Sequence, residues 1–172
     1  VLAVTGSNGK STVVSLLAHL ADCLGKNAAL GGNVGVPVLD LLAKAPELVI
    51  LELSSFQLET ISSMQPLAAS VLNLSDDHLD RHLTMENYRD IKQKIYQQAG
   101  SAVINRDDSA TQVDANTFRG KVISFGSDAP QDGHFGLASI NDELTLMYGP
   151  QALVAVRDLP LSGVHNALNC LA

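Results

Sequence analysis

The sequence predicts an α/β fold: a P-loop-type, three-layer domain with a mostly parallel sheet flanked by helices. Three observations predict it. Short apolar runs alternate with helix-period stretches along most of the chain. A glycine-rich turn, TGSNGKST at residues 5–12, joins the first apolar run to the first helical pattern. From about residue 133 short strands joined by turn pairs take over, which predicts a small antiparallel subsheet near the C-terminus.

Residues 1–5 read as a buried strand; the run Val1-Leu2-Ala3-Val4 follows no positive region and precedes no cleavage site, unlike a signal peptide. Helical spacing of Val14, Leu17, Ala18, Ala21 and Leu24 predicts a helix over 11–24, stopped by Gly25. Ala28 to Leu30 is a short strand, followed by the loop Gly31-Gly32-Asn33-Val34-Gly35, and Pro37 opens a helix to about Ala43. Leu48 to Leu53 is the best central strand, and Ala68 to Asn73 is another. A helix over 84–99 starts at the N-cap Thr84, with Glu86 in its first turn. Ala102 to Ile104 and Val122 to Phe125 complete the parallel strands. Phe135 to Leu137, Leu144 to Leu146 and Leu153 to Val156 form the antiparallel set, turning at Asn141-Asp142 and Gly149-Pro150.

A chain of 172 residues suits one domain, and 46% hydrophobic with 17% charged residues is a globular composition. The net charge of −7 disfavours a nucleic-acid partner, because phosphate backbones reward a basic face. No apolar run is long enough to cross a bilayer, so no membrane partner is expected. Cys23 and Cys170 lie far apart and read as small apolar residues in a reducing cytoplasm. The chain opens on a strand without Met and ends in a helical stretch, Asn169-Cys170-Leu171-Ala172, so a piece of a longer protein, monomeric, is expected.

The loop lacks the first glycine of the usual phosphate-binding pattern, since Val4 stands there. The context is otherwise complete: strand before, helix after, Gly-Lys-Ser-Thr at the junction. Gly6, Ser7, Asn8, Gly9, Lys10, Ser11 and Thr12 are the candidate nucleotide contacts, with Lys10 reaching the outer phosphates and the Ser11 hydroxyl offered to Mg²⁺. A solvated glycine turn is the bland alternative.

A metal at such a loop needs hard ligands near the carboxyl ends of neighbouring strands. Glu52, in LELSSFQLE, sits where a buried strand should be apolar; an edge charge facing water is the alternative. His78, in NLSDDHLDRH, can bind a metal or phosphate through a ring nitrogen, or be an ordinary loop histidine. At about 100° per residue, Tyr88, Ile91, Ile95, Tyr96 and Ala99 share one stripe of helix 84–99, and Lys92 falls inside it while Lys94 points away. Either the stem of Lys92 covers the stripe and its head snorkels out, or the amine is buried and readily loses its proton.

The segment AVTGSNGKST resembles the ATP loop of the Mur ligases, in which Thr-Gly-x-Asn-Gly-Lys-[Ser/Thr] is the norm. Lys10 is followed directly by Ser11, unlike the related folate polyglutamate ligases, which insert a glycine there. ELSSFQLE and LNLSDDHLDRH are similar to the D-glutamate-adding branch, and LSGVHNALNCLA to the family's Ser-Gly-x-His-Asn-x-x-Asn segment, whose asparagines meet adenine. Asp76 departs from a frequent proline, with little consequence expected at a loop position. Nothing matches the family's N-terminal uridine-binding or C-terminal amino-acid-binding domain, so residues 1–172 are expected to be the central ATPase domain alone.

The resemblance implies a cytoplasmic, ATP-dependent ligase that adds D-glutamate to UDP-N-acetylmuramoyl-L-alanine through an acyl phosphate, in the peptidoglycan synthesis that underlies cell shape and division. It implies two Mg²⁺ sites, one on Ser11 and Glu52, the other on His78 and a Lys92 carbamylated by CO₂. Lys10, His78 and Lys92 are the implied catalytic residues, Asn166 and Asn169 the adenine contacts, and Asn33, Ser54 and His78 the acceptor side. Asn33, beside glycines, is also an ordinary turn asparagine. Another Mur-type amide ligase, a small-molecule kinase with the same loop, and a nucleotide-binding module without chemistry remain alternatives.

Overall fold

The computed structural model describes residues 1–43, 45–75, 79–114 and 116–172. The first strand, β1 (Leu2–Thr5), runs through the middle of a six-stranded parallel sheet with β2 (Ala28–Gly32), β3 (Leu48–Glu52), β4 (Ala68–Val71), β5 (Ser101–Asn105) and β6 (Lys121–Phe125). Their order across the sheet is β2-β3-β1-β4-β5-β6, so β1 lies between β3 and β4. Helices α1 (Lys10–Cys23), α2 (Val38–Leu42), α3 (Ser55–Thr60), α4 (Leu79–His82) and α5 (Met85–Gln93) connect the strands, and α6 (Val164–Leu171) comes last. The antiparallel sheet is β7 (Phe135–Ile140), β8 (Glu143–Tyr148) and β9 (Gln151–Ala155). Its first turn is at Asn141-Asp142, with φ of 51° and 64°, the doubly left-handed geometry of a tight hairpin.

Both faces of the parallel sheet are covered, which is why its strands read as nearly unbroken apolar runs. Successive side chains alternate between two cores. Ala3, Val49, Leu51, Leu53 and Val71 pack with Leu58, Ile95 and Tyr96 on one face. Val4, Ile50 and Leu72 pack with Val13 and Val14 of α1, Ala167 and Leu171 of α6, and Leu137 and Leu146 of the small sheet on the other. The same alternation aims the residues at the strand tips. Val4 pairs with Glu52, so Glu52 shares the face of α1, while Thr5, next to Val4, turns to the face of α5.

Three helical details differ from expectation. Leu24, placed on the buried stripe of the first helix, is the C-cap residue and 76% exposed. The helix expected over 84–99 is α5 followed by a 3₁₀ turn, Lys94–Tyr96, after which Gln97 leaves the helical region with ψ of 125° and Gln98 has φ of 60°. Helix α3 is not among the expected elements, although Ser54 and Gln57 form a reciprocal capping box, a signal written in the S-x-x-Q spacing. Thr84 caps α5 as expected, accepting from the Asn87 N–H at 3.2 Å.

Candidate functional site

The turn between β1 and α1 lies at the carboxyl end of the central strand, where the chain's crossovers leave to opposite sides of the sheet. Val4 is a buried strand residue and not part of the loop, so the turn is made by Gly6 to Gly9 alone. Gly9 has φ of 84°, and a Cβ there would stand 2.5 Å from Asn169 Oδ1, so only glycine fits. No side chain caps α1 at Gly9, and the first N–H groups of a helix have no intrahelical acceptor. With the helix dipole they make an anion site. Lys10 folds over the turn, its Nζ donating to the carbonyls of Gly6 and Ser7, both at 2.9 Å.

Glu52, 1% exposed, is held from two sides. Ser11 Oγ donates to its Oε2 at 2.8 Å, and Asn33 Nδ2 donates to its Oε1 at 3.0 Å. The Asn33 N–H also donates to the Glu52 carbonyl at 2.8 Å, a close approach that Gly32 permits, since a Cβ there would strike that same oxygen. A carboxylate, a hydroxyl and an amide oxygen gathered beside the loop suit a hard cation completed by phosphate oxygens and water. Among the described residues no group of three His, Cys, Asp or Glu side chains could hold a metal, and Mg²⁺ at a phosphate site needs only one or two carboxylates. The edge-charge alternative for Glu52 does not hold.

Lys92 approaches the turn from beneath. It is 2% exposed, and its Nζ donates to Thr5 Oγ1 at 3.1 Å and to the Gly6 carbonyl at 3.0 Å, with the Tyr88 ring centroid 4.9 Å away. Thr5 Oγ1 in turn donates to the Leu53 carbonyl at 2.6 Å. The amine points inward to the loop, so the snorkelling alternative fails. Lys94 bonds the Glu59 carbonyl at 3.4 Å, away from the turn. His78 lies outside the described residues.

Asn166 and Asn169, on α6, line a cleft of about 370 Å³ with Asn8, Gly9, Thr12 and Phe125. Asn166 Nδ2 donates to the Ser162 carbonyl at 2.8 Å, and Asn169 Oδ1 faces Gly9, so the two asparagines sit on the flank of the loop. Ser54 is the N-cap of α3, two residues past Glu52, with its hydroxyl in the capping box.

Tyr88, expected on the stripe beside Lys92, forms the floor under it. Two residues at this site are not among the expected contacts: Thr5 bridges Lys92 to the Leu53 carbonyl just past β3, and Asn73, just beyond β4, clasps the loop through the Asn8 N–H at 2.8 Å and the Asn8 carbonyl at 3.0 Å. Asn73 carries the signal that singled out Glu52, a polar side chain ending an apolar strand run.

The family model for the Mur ligase middle domain matches residues 4–172. The chain belongs to the Mur ligase middle-domain family. Curated Mur ligase relatives include the UDP-N-acetylmuramoylalanine–D-glutamate ligases of Colwellia psychrerythraea, 57% identical over 183 residues, and Vibrio vulnificus, 47% identical over 173. Each alignment covers 99% of this chain and 38% of the relative, so the chain spans well under half the length of these proteins. Two solved structures share the Mur ligase middle-domain fold. MurF from Acinetobacter baumannii matches with a TM-score of 0.73 and 24% identity, over 99% of this chain and 40% of that one. E. coli FolC in complex with DHPP and ADP matches with a TM-score of 0.71 and 16% identity, over 99% and 51%.

Proposed function

We propose that residues 1–172 form the ATP-binding central domain of a cytoplasmic, monomeric ligase that joins D-glutamate to UDP-N-acetylmuramoyl-L-alanine in peptidoglycan precursor synthesis. The observation that carries this is the convergence of Lys10, the Ser11–Glu52–Asn33 cluster and the inward amine of Lys92 on one glycine turn. The identity to D-glutamate ligases supports the choice of amino acid. The domains that present the two substrates belong to the longer protein, and the isolated domain is expected to make negligible product.

The acceptor's carboxylate oxygen attacks the γ-phosphorus of ATP, the bond to the ADP oxygen breaks, and an acyl phosphate forms. The amine of D-glutamate then attacks the acyl carbon, loses a proton, and inorganic phosphate leaves. Anions meet in the first step, so the protein must place positive charge and oriented donors among them. The α1 N–H groups and Lys10 do so at the phosphates. Mg²⁺, when bound, screens the phosphate oxygens as a Lewis acid, with Ser11 and Glu52 as its protein ligands and His78 with Lys92 at a second site. Addition of CO₂ to a neutral Lys92 amine, with loss of one proton, gives an anionic carbamate suited to that second cation. In this reading Asn166 and Asn169 serve the adenine, and Asn33, Ser54 and His78 serve the acceptor.

Incubation of the full-length protein with ATP, UDP-N-acetylmuramoyl-L-alanine and hydroxylamine tests the reading. Trapped hydroxamate is expected, and D-glutamate is expected to compete with the trap where other amino acids do not. A phosphorylated alcohol would instead indicate a kinase, and absence of turnover a binding module.

A further inference from the structure

The turn that faces the phosphates is braced from outside its own segment. The Ser7 N–H donates to the Asn73 carbonyl at 2.9 Å. The Asn8 N–H donates to Asn73 Oδ1 at 2.8 Å, and Asn73 Nδ2 donates back to the Asn8 carbonyl at 3.0 Å. One side chain, 65 positions away, thus occupies both backbone groups of a loop residue. The strand tail that carries it is fixed too: Asn105 Nδ2 donates to the Leu72 carbonyl at 2.9 Å, and the Ser75 N–H donates to Ser7 Oγ at 3.0 Å.

We propose that Asn73 is a positioning residue for the triphosphate, its amide standing in for the outer arm that this short loop lacks. The proposal rests on the nucleotide-binding reading above. Val4 is locked in β1, so only Gly6 to Gly9 separate strand from helix. Of the N–H groups in that span, those of Ser7 and Asn8 are turned to Asn73, so the anion draws on others, those of Gly9 and the first turn of α1 among them. Releasing Asn73 frees the Ser7–Asn8 peptide to rotate, and rotation turns a carbonyl toward the phosphates. The task needs a donor and an acceptor on one planar head, which an amide has, a carboxylate lacks and an alkyl group lacks entirely. Because Asn73 reads backbone atoms, the side chain of Asn8 is not its partner.

The test uses the full-length enzyme with Asn73→Leu, Asn73→Asp and Asn73→Gln. It measures the Kd of a non-hydrolysable ATP analogue with Mg²⁺, the three substrate KM values, and melting with and without the analogue. Asn73→Leu is expected to weaken analogue binding by about tenfold, the scale of losing one well-made hydrogen-bonding contact. Asn73→Asp weakens it further, because its charge faces the phosphates, and Asn73→Gln, which keeps both groups, retains more affinity than Asn73→Leu. KM for ATP rises while those for the acceptor and the amino acid hold, and the analogue's stabilisation of the protein shrinks. Variants that bind the analogue like the unaltered enzyme, or that raise all three KM values equally, overturn the proposal. Failure of the unaltered enzyme to bind the analogue overturns the nucleotide reading, and this proposal with it.

Discussion

Lys10 of α1 and Lys92 of α5 donate to the same oxygen: their Nζ atoms lie 2.9 and 3.0 Å from the carbonyl of Gly6. Two ammonium groups brought to one acceptor repel each other, and converting one of them to an anion turns that repulsion into attraction. Lys92→Ala is therefore expected to lower ligase turnover by at least about a hundredfold, the scale of removing one preorganised electrostatic group. Bicarbonate is expected to raise the rate of the unaltered enzyme, and a short carboxylic acid to restore part of the variant's. A variant with an undiminished rate removes Lys92 from the chemistry.

Glu52→Gln keeps the shape of the side chain and removes its charge. Asn33 donates to one oxygen and Ser11 to the other, so with the new amide NH₂ turned to Ser11, whose hydroxyl can rotate to accept, Asn33 keeps its acceptor and the fold is expected to survive with a melting midpoint within a few degrees of the original. Turnover is expected to fall by about a hundredfold, with a right-shifted Mg²⁺ dependence, because a hard cation loses its buried carboxylate. A Mg²⁺ titration of ADP release checks this; an unshifted curve rules Glu52 out as a ligand.

Thr5→Val deletes the hydroxyl that accepts from Lys92 and donates to the Leu53 carbonyl. Thr5 is fully buried, so both partners lose a bond out of reach of bulk water. A loss of roughly 1–3 kcal/mol in urea unfolding is expected. Thr5→Ser, with the hydroxyl retained, is expected to recover most of it.

Tyr96 accepts from the Val71 N–H at 3.0 Å and donates toward the carbonyls of Val103 and Thr111. Burial pushes its phenol well above the ordinary value, and the bond from Val71 offsets this only in part. The sign follows from linkage: with the folded value raised, the contribution to stability is complete below about pH 10 and lost as pH rises beyond it, because the unfolded chain ionises first. Tyr96→Phe is expected to flatten that alkaline decline while costing about 1–3 kcal/mol at neutral pH, since Val71 loses its acceptor. Urea unfolding between pH 7 and 11 reads both effects.

The strands were legible because burial on both faces leaves a plain mark: Val49 and Leu51 serve one core and Ile50 the other, so the whole run is apolar. Glu52 and Lys92 stood out by the converse rule, as charges among apolar neighbours, and both are buried at the glycine turn. The extent of α5 was not legible, because the apolar spacing continues through Tyr96 while the backbone tightens to a 3₁₀ turn at Lys94. Thr5 and Asn73 went unread for a different reason. Each acts through a partner far along the chain, and although Asn73 shares with Glu52 the mark of a polar side chain ending an apolar run, an uncharged group there is less costly to bury than a charge and does not by itself point to a partner.

Apart from the local bonds of Lys10, the contacts that brace the turn are long in sequence: Ser11 reaches Glu52 across 41 positions, Asn8 reaches Asn73 across 65, and Thr5 reaches Lys92 across 87. Closing such distances is slow and cooperative. A ribosome-bound chain grown only past β3 would own Lys10 and Glu52 yet lack both the clasp and the second amine. The braced turn therefore exists only after β4 and α5 have been added, as a property of the assembled sheet and not of its most recognisable eight residues.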